Sequence, residues 1–261
     1  MTRDVGDENI PGKDVRVFAD VEELNRAAAN EFLRLAIENV HAKGSFAVAL
    51  AGGSTPKKLY ALLASHDAPY RAQIPWAQID FFFGDERTVP PDHPDSNYRM
   101  ADDAMLGVVS ATRVHRFLTE RVDAEAIATE YETRLRSILH TPADEMPRLD
   151  LILLGLGTDG HTASLFPDTA ALAERKRAVV ANRVAALDTM RLTFTLPALN
   201  NAANVIFLVS GAEKSATLRR VLDASAEDSM LPSQLIQPYN GRLMWMVDRA
   251  AFEQEEDYSR V

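Results

Sequence analysis

An acid and a histidine two residues apart, Asp159 and His161, come soon after a continuous apolar run, Leu151–Leu154, broken off by Gly155 and Gly157. A run of that kind is what a strand buried on both faces shows. The glycines then deliver a carboxylate and an imidazole into a loop, where open parallel α/β sheets bind their ligands. The other reading is a Gly-rich turn with an incidental solvent-facing histidine. Position beyond a buried strand favours the functional one.

Three further stretches place reactive or charged groups after apolar runs. Gly52-Gly53-Ser54-Thr55-Pro56 sits between an apolar run and a helical pattern through Leu59, Tyr60, Leu62 and Leu63. Proline there suits the first helical position. Such a helix start offers backbone N–H groups and the positive end of a dipole, with two hydroxyls beside it, so an anion fits; an ordinary strand-to-helix turn fits equally. Neither the Walker spacing nor a G-x-G-x-x-G is present. Gly84-Asp85-Glu86-Arg87 follows a third apolar run, with Ser96-Asn97 downstream as an N-cap. Arg87 is a candidate partner for a phosphate or carboxylate, or else one member of a local ion-pair cluster with Asp85 and Glu86. Lys214 falls near a helix start, where the dipole disfavours a cation. It either faces a bound anion or is a solvated surface lysine.

The elements that position these groups follow from periodicity. Residues 1–14 read as a flexible lead-in, and 15–261 as a single α/β domain. Strands are expected at 15–19, 46–51, 79–83, 114–117, 151–154, 179–180, 192–196, 205–209 and 243–247. Asp20 with Glu23 matches a capping box opening a helix through Leu24, Ala27, Ala28, Phe32, Leu35 and Ile37, which ends near Gly44. A second long amphipathic helix spans about 124–139. Strands alternating with helices argue for a mostly parallel sheet with helices on both faces, and residues 123–144 are candidates for a small α/β subdomain.

Composition narrows the partners. The net charge of −10, without a basic cluster, speaks against nucleic acid. The absence of cysteine excludes disulfides, thiolate metal sites and thiol nucleophiles. Asp85, Glu86, Asp159 and His161 lack a recognised metal-ligand spacing. No apolar run approaches membrane-spanning length, and residues 1–13 have no signal-peptide core, so a cytoplasmic protein without a membrane partner is expected.

With these pieces placed, the sequence resembles the 6-phosphogluconolactonase family. The resemblance rests on Gly52 to Pro56, on Gly84 to Arg87 with Ser96-Asn97, on Gly155 to Pro167 (above all Gly-His-Thr-Ala-Ser-Leu-Phe-Pro), and on Arg191, Gly211 and Lys214. It implies a Rossmann-like fold shared with glucosamine-6-phosphate deaminases. It implies also a carboxylic ester hydrolase that opens 6-phosphoglucono-1,5-lactone in the pentose phosphate pathway, with no cofactor and no oligomer required, so a monomer is expected. On that resemblance His161 and Asp159 are catalytic, and Gly52, Gly53, Ser54, Thr55, Asp85, Arg87, Asn97, Arg191 and Lys214 bind the substrate or its phosphate.

The deaminases carry a glutamate five residues beyond the histidine, and here that position is Phe166. They also have a tyrosine where this chain has Arg87. The resemblance therefore favours lactone hydrolysis over deamination. A non-catalytic phosphosugar sensor is a third reading, and the short acidic N-terminal stretch leaves no room for its usual DNA-binding helices. A δ-lactone is an activated ester, so hydrolysis asks for one general base and oxyanion stabilisation. The resemblance gives His161 the base role, which suits an imidazole near neutrality, with Asp159 orienting the ring or stabilising its cation. No serine nucleophile elbow is present, so water attacks directly.

Overall fold

The computed structural model describes residues 6–7, 12–223 and 230–253. In chain order its strands begin with β1 (Gly6–Asp7) and β2 (Asp14–Phe18). Helix α1 (Val21–Lys43) opens on Asp20, whose carboxylate accepts the Glu22 and Glu23 amides, and it closes on Gly44 at φ 82°. Glu23 reaches back to the Ala19 amide, one residue beyond the expected capping-box partner. Ile37 leaves the buried face, which is formed by Leu24, Ala28, Phe32, Leu35 and Ala36 instead.

Strand β3 (Phe46–Leu50) leads to α2 (Ser54–Ala64), α3 (Tyr70–Gln73), β4 (Ile79–Phe83) and β5 (Asp85–Arg87). Then come α4 (Asn97–Ala101), α5 (Ala124–Ile138), β6 (Leu151–Leu154), β7 (Val179–Val184), β8 (Thr189–Phe194) and α6 (Leu196–Asn200). The chain continues with β9 (Asn204–Val209), α7 (Ser215–Leu222), β10 (Arg242–Asp248) and α8 (Arg249–Phe252). Of residues 1–14, Gly6 and Asp7 pair with Val17 and Arg16, while 1–5 and 8–11 lie outside the described residues.

The large sheet has the order β1-β2-β10-β9-β6-β3-β4, parallel from β2 to β4 with β1 antiparallel at the edge. Strands β3, β4 and β6 are buried at every position, as expected of strands covered on both faces. The strand after β3 lies on one side and the strand paired beyond β6 on the other, so the β3/β6 boundary is the switch point of the sheet. A crevice opens there at the carboxyl ends.

Two expectations change. Residues 179–184 and 189–194 do not join the parallel sheet. With Asp85–Arg87, which reads as loop from sequence, they form a separate antiparallel sheet of order β5-β8-β7. The chain crosses between sheets at Gly84, whose amide donates to Leu50 and whose carbonyl accepts from Phe194. Helix α5 packs on β7 and β8, so the stretch 123–144 does belong to a small α/β layer. The Tyr131 hydroxyl ties it to the main sheet, accepting the Phe83 amide at 2.8 Å. The expected strand at 114–117 is a single bridge, Phe81 to Val114. Phe117 turns away to stack on Tyr131 with ring centroids 3.6 Å apart.

Candidate functional site

The ends of β3, β4, β6 and β9 surround one cleft of about 250 Å³ lined by Gly52, Gly53, Ser54, Thr55, Asp85, Arg87, Asn97, His161 and Lys214 among others. Helix α2 begins at Ser54, two residues before the expected proline start, with Gly53 at φ 105° as its cap. Pro56 still falls in the first turn, where its missing N–H costs no intrahelical bond. Gly52 is required by its neighbour: a Cβ there would lie 2.0 Å from Asn97 Oδ1. Thr55 is buried and its hydroxyl shares a 2.7 Å hydrogen bond with Ser210, whereas Ser54 is exposed.

Asn97 donates to Asp85 through both the backbone carbonyl (3.0 Å) and Oδ1 (3.2 Å), and Ser164 Oγ donates to Asp85 Oδ2 at 2.7 Å. The buried Asp85 carboxylate therefore links the β4 end to the histidine loop. Glu86 points the other way. Its carboxylate accepts the amides of Arg87, Asn97 and Tyr98 and the Ser96 hydroxyl, so it anchors the turn into α4 and makes no ion pair among the described residues. Burial pushes its carboxyl above the ordinary range, with the three amides pulling against it.

Arg87 and Arg191 stand directly opposite one another on β5 and β8. Like charges so placed repel. Arg87 donates to the Asp95 carbonyl at 2.6 Å, and neither guanidinium has a carboxylate partner within ion-pair distance among the described residues. Burial, followed by the Arg87 charge, pulls the Arg191 guanidinium below its ordinary value, against the pull of Asp85, Glu86 and Asp95. Arg191 lies beside Arg87 and is not among the residues lining the cleft. A bound anion is the natural relief for two such cations.

The β6 end carries the histidine. His161 Nδ1 lies 2.5 Å from Asp159 Oδ1, and the same oxygen accepts the His161 amide at 3.1 Å. Asp159 is half exposed. Partial burial raises its carboxyl, and the His161 amide, charge and ring hydrogen bond together bring it below the ordinary value. An ionised Asp159 accepts, so the Nδ1 position holds the ring proton and Nε2 is left as the basic nitrogen. Gly157 is obligatory, since a Cβ would meet Nδ1 at 2.1 Å. The loop is braced from several sides, by Thr162 on the Gly155 carbonyl, Thr217 on that of Thr158 and Ser233 on that of Gly160.

Sequence reasoning missed Ser210 and Glu213, which also line the cleft. The signal available was Ser210-Gly211 closing an apolar run. Gly211, at φ 101°, lets the Glu213 carboxylate lie where a Cβ would come within 2.3 Å of it. Lys214 ends the one-turn segment Ala212–Lys214 that precedes α7.

A mostly parallel sheet with a polar cleft at its switch point, beside an imidazole–carboxylate pair and cations, defines an α/β protein of the doubly wound kind. The chain belongs to the family described as glucosamine-6-phosphate isomerases/6-phosphogluconolactonase, whose sequence model matches residues 19–245. It is 41% identical over 242 residues to a 6-phosphogluconolactonase of Nostoc sp., covering 92% of this chain and 97% of that protein. A 6-phosphogluconolactonase of Synechocystis sp. is 44% identical over 214 residues, covering 81% and 85%. Among solved structures, the 6-phosphogluconolactonase from Trypanosoma cruzi superposes with a TM-score of 0.80 at 30% identity, over 92% of this chain and 95% of that one.

Proposed function

We propose that this protein hydrolyses 6-phosphoglucono-1,5-lactone to 6-phosphogluconate, the lactonase step of the pentose phosphate pathway. The observation that carries the reading is the Asp159–His161 pair, 2.5 Å apart, whose histidine lines the cleft that also holds the Gly52–Thr55 turn and Lys214. The relatives' names agree with it. Water attacks the lactone carbonyl carbon while His161 Nε2 takes one of its protons. The C1–ring-oxygen bond then breaks as the same proton returns to the departing oxygen, and the ring opens to the acid. Asp159 holds the tautomer and stabilises the transient imidazolium. Ser54, Thr55, Arg87, Arg191 and Lys214 receive the phosphate, with Gly52, Gly53, Asp85 and Asn97 shaping its seat.

The isomerase side of the family is disfavoured at one position. Phe166 stacks on His161, so a ring that cannot transfer protons stands where the deaminases carry a carboxylate. The deciding experiment follows freshly generated lactone, corrected for its spontaneous hydrolysis, alongside ammonia release from glucosamine 6-phosphate. Lactonase activity well above the uncatalysed rate, without ammonia, is expected. Ammonia release without lactonase activity overturns the reading.

A further inference from the structure

We infer that Phe166 is a positioning residue that sets the plane of the His161 imidazole; this rests on the reading of His161 as the base. The two rings are stacked, with centroids 4.1 Å apart and planes 23° from parallel. The hydrogen bond from Nδ1 to Asp159 fixes one atom of the imidazole and leaves its plane open. The second torsion of a histidine is broad, so the ring can tip about that contact. Gly157 leaves room for the Nδ1–Cε1 edge, since a Cβ there would come within 2.1 and 2.3 Å of those atoms. The hydrogen bond to Asp159 at one atom and a flat surface against one face together hold the ring in one orientation. Phe166 supplies that surface. It also keeps water off that face, so the lone pair of Nε2 is offered in one direction. Near-attack geometry is what such constraint contributes to catalysis.

The plate is itself fixed. Phe166 is 9% exposed and does not line the cleft, so any effect on the reaction passes through His161. Pro167 restricts its backbone to extended conformations. Its carbonyl accepts the Thr169 hydroxyl at 2.8 Å, and that hydroxyl in turn accepts Asn182 Nδ2 at 3.1 Å. Asn182, 1% exposed on β7, donates from the same nitrogen to the Ser164 carbonyl at 2.9 Å. The brace thus runs from the small antiparallel sheet to the histidine ring. An apolar filler would satisfy packing alone, whereas a ring that orients another ring must be flat.

That difference is the test, made on the full chain. Phe166→Leu keeps an apolar side chain and loses the flat face; Phe166→Tyr keeps the face. Phe166→Leu should lower kcat about tenfold or more with KM within about twofold, and Phe166→Tyr should stay within about threefold of wild type in both. Thr169→Val, which removes the brace and leaves the ring, should lower kcat by less than Phe166→Leu. Wild-type kcat in folded Phe166→Leu, a rise in KM alone, or an equal loss in the Tyr variant overturns the inference. A second readout is independent of turnover and of whether the Leu variant folds. In wild-type protein the His161 ring protons, assigned by their loss in His161→Ala, should be shifted upfield by the Phe166 ring current and should move back in Thr169→Val. Unshifted protons in wild type overturn the stack. If wild type lacks lactonase activity while the ring protons are shifted, the proposed function fails and the placement of the ring stands.

Discussion

Asp159 and His161 are separated by one glycine, and i to i+2 spacing in a loop does not by itself bring two side chains together. What closes the gap is local: Gly160 at φ 82° turns the chain, and the Asp159 carboxylate caps the His161 amide before it meets the ring. If His161 is the base, His161→Ala should lower kcat by about 10² to 10⁴ while a product analogue binds nearly as tightly, because the groups proposed to hold the phosphate are other residues. Unchanged turnover in a folded variant ends the mechanism. Asp159→Asn keeps an oxygen for the His161 amide and removes the charge, and about a tenfold loss of kcat is expected. The pH sense follows from the direction of the Asp159 shift. Its carboxyl is held below the ordinary value of about 4, so it stays ionised down to that region. A fall of kcat/KM above about pH 5 is therefore not the protonation of Asp159.

The short strand β5 shows how an element of three residues gathers three tasks. Asp85 reaches the histidine loop through Ser164, Glu86 anchors α4, and Arg87 faces Arg191. None of this is legible locally, because a three-residue strand has no period, and its partner on β8 lies about a hundred residues on in sequence. Arg87 was marked by its place after an apolar run and Arg191 by the family resemblance, and only the antiparallel register places them side by side. Each should matter to the phosphate: Arg191→Ala or Lys214→Ala should raise KM steeply for the phosphorylated lactone and barely alter unphosphorylated gluconolactone. A similar rise for both substrates removes them from the phosphate site. Glu86 makes a separate prediction about the turn. Each carboxylate oxygen accepts two donors, so Glu86→Gln turns one acceptor into a donor and should cost about 1–3 kcal/mol in urea unfolding. Since burial raises its folded value, the stability it contributes is fullest below its unfolded value and is lost as pH rises through the folded one. The cost of the substitution should accordingly be greater at about pH 4 than at about pH 7.

The parallel sheet was legible because buried strands announce themselves as apolar runs, and five of the expected stretches became β3, β4, β6, β9 and β10, with Asp80 the one polar residue inside the expected 79–83. The second sheet was not, since half-buried strands such as β7 and β8 alternate weakly and give no sign of which sheet they join. The stretch 114–117 misled for a related reason: its apolar residues serve the α5 contact, and one bridge at Val114 suffices to cover the edge of β4. Asp80 holds that cover in place. It is 4% exposed and accepts from Arg113, with Nε at 2.9 Å and a second contact through Nη2, and from His115 Nε2 at 2.8 Å. Meanwhile the Arg113 carbonyl and the His115 amide pair with the two polar groups of Phe81. Loss of this carboxylate would strand two donors and loosen the bridged segment over an edge strand, exposing hydrogen-bonding groups to other chains. Arg113 is 39% exposed and can find water, so the cost is below that of a fully enclosed pair. Asp80→Asn should therefore destabilise by about 1–3 kcal/mol and raise the tendency to aggregate on heating. Asp80, Arg113 and His115 lie outside the cleft lining, so kcat and KM of the folded variant should match wild type. Unaltered stability would mean that the edge is held by the backbone bridge alone, and an altered KM would mean that the edge communicates with the cleft.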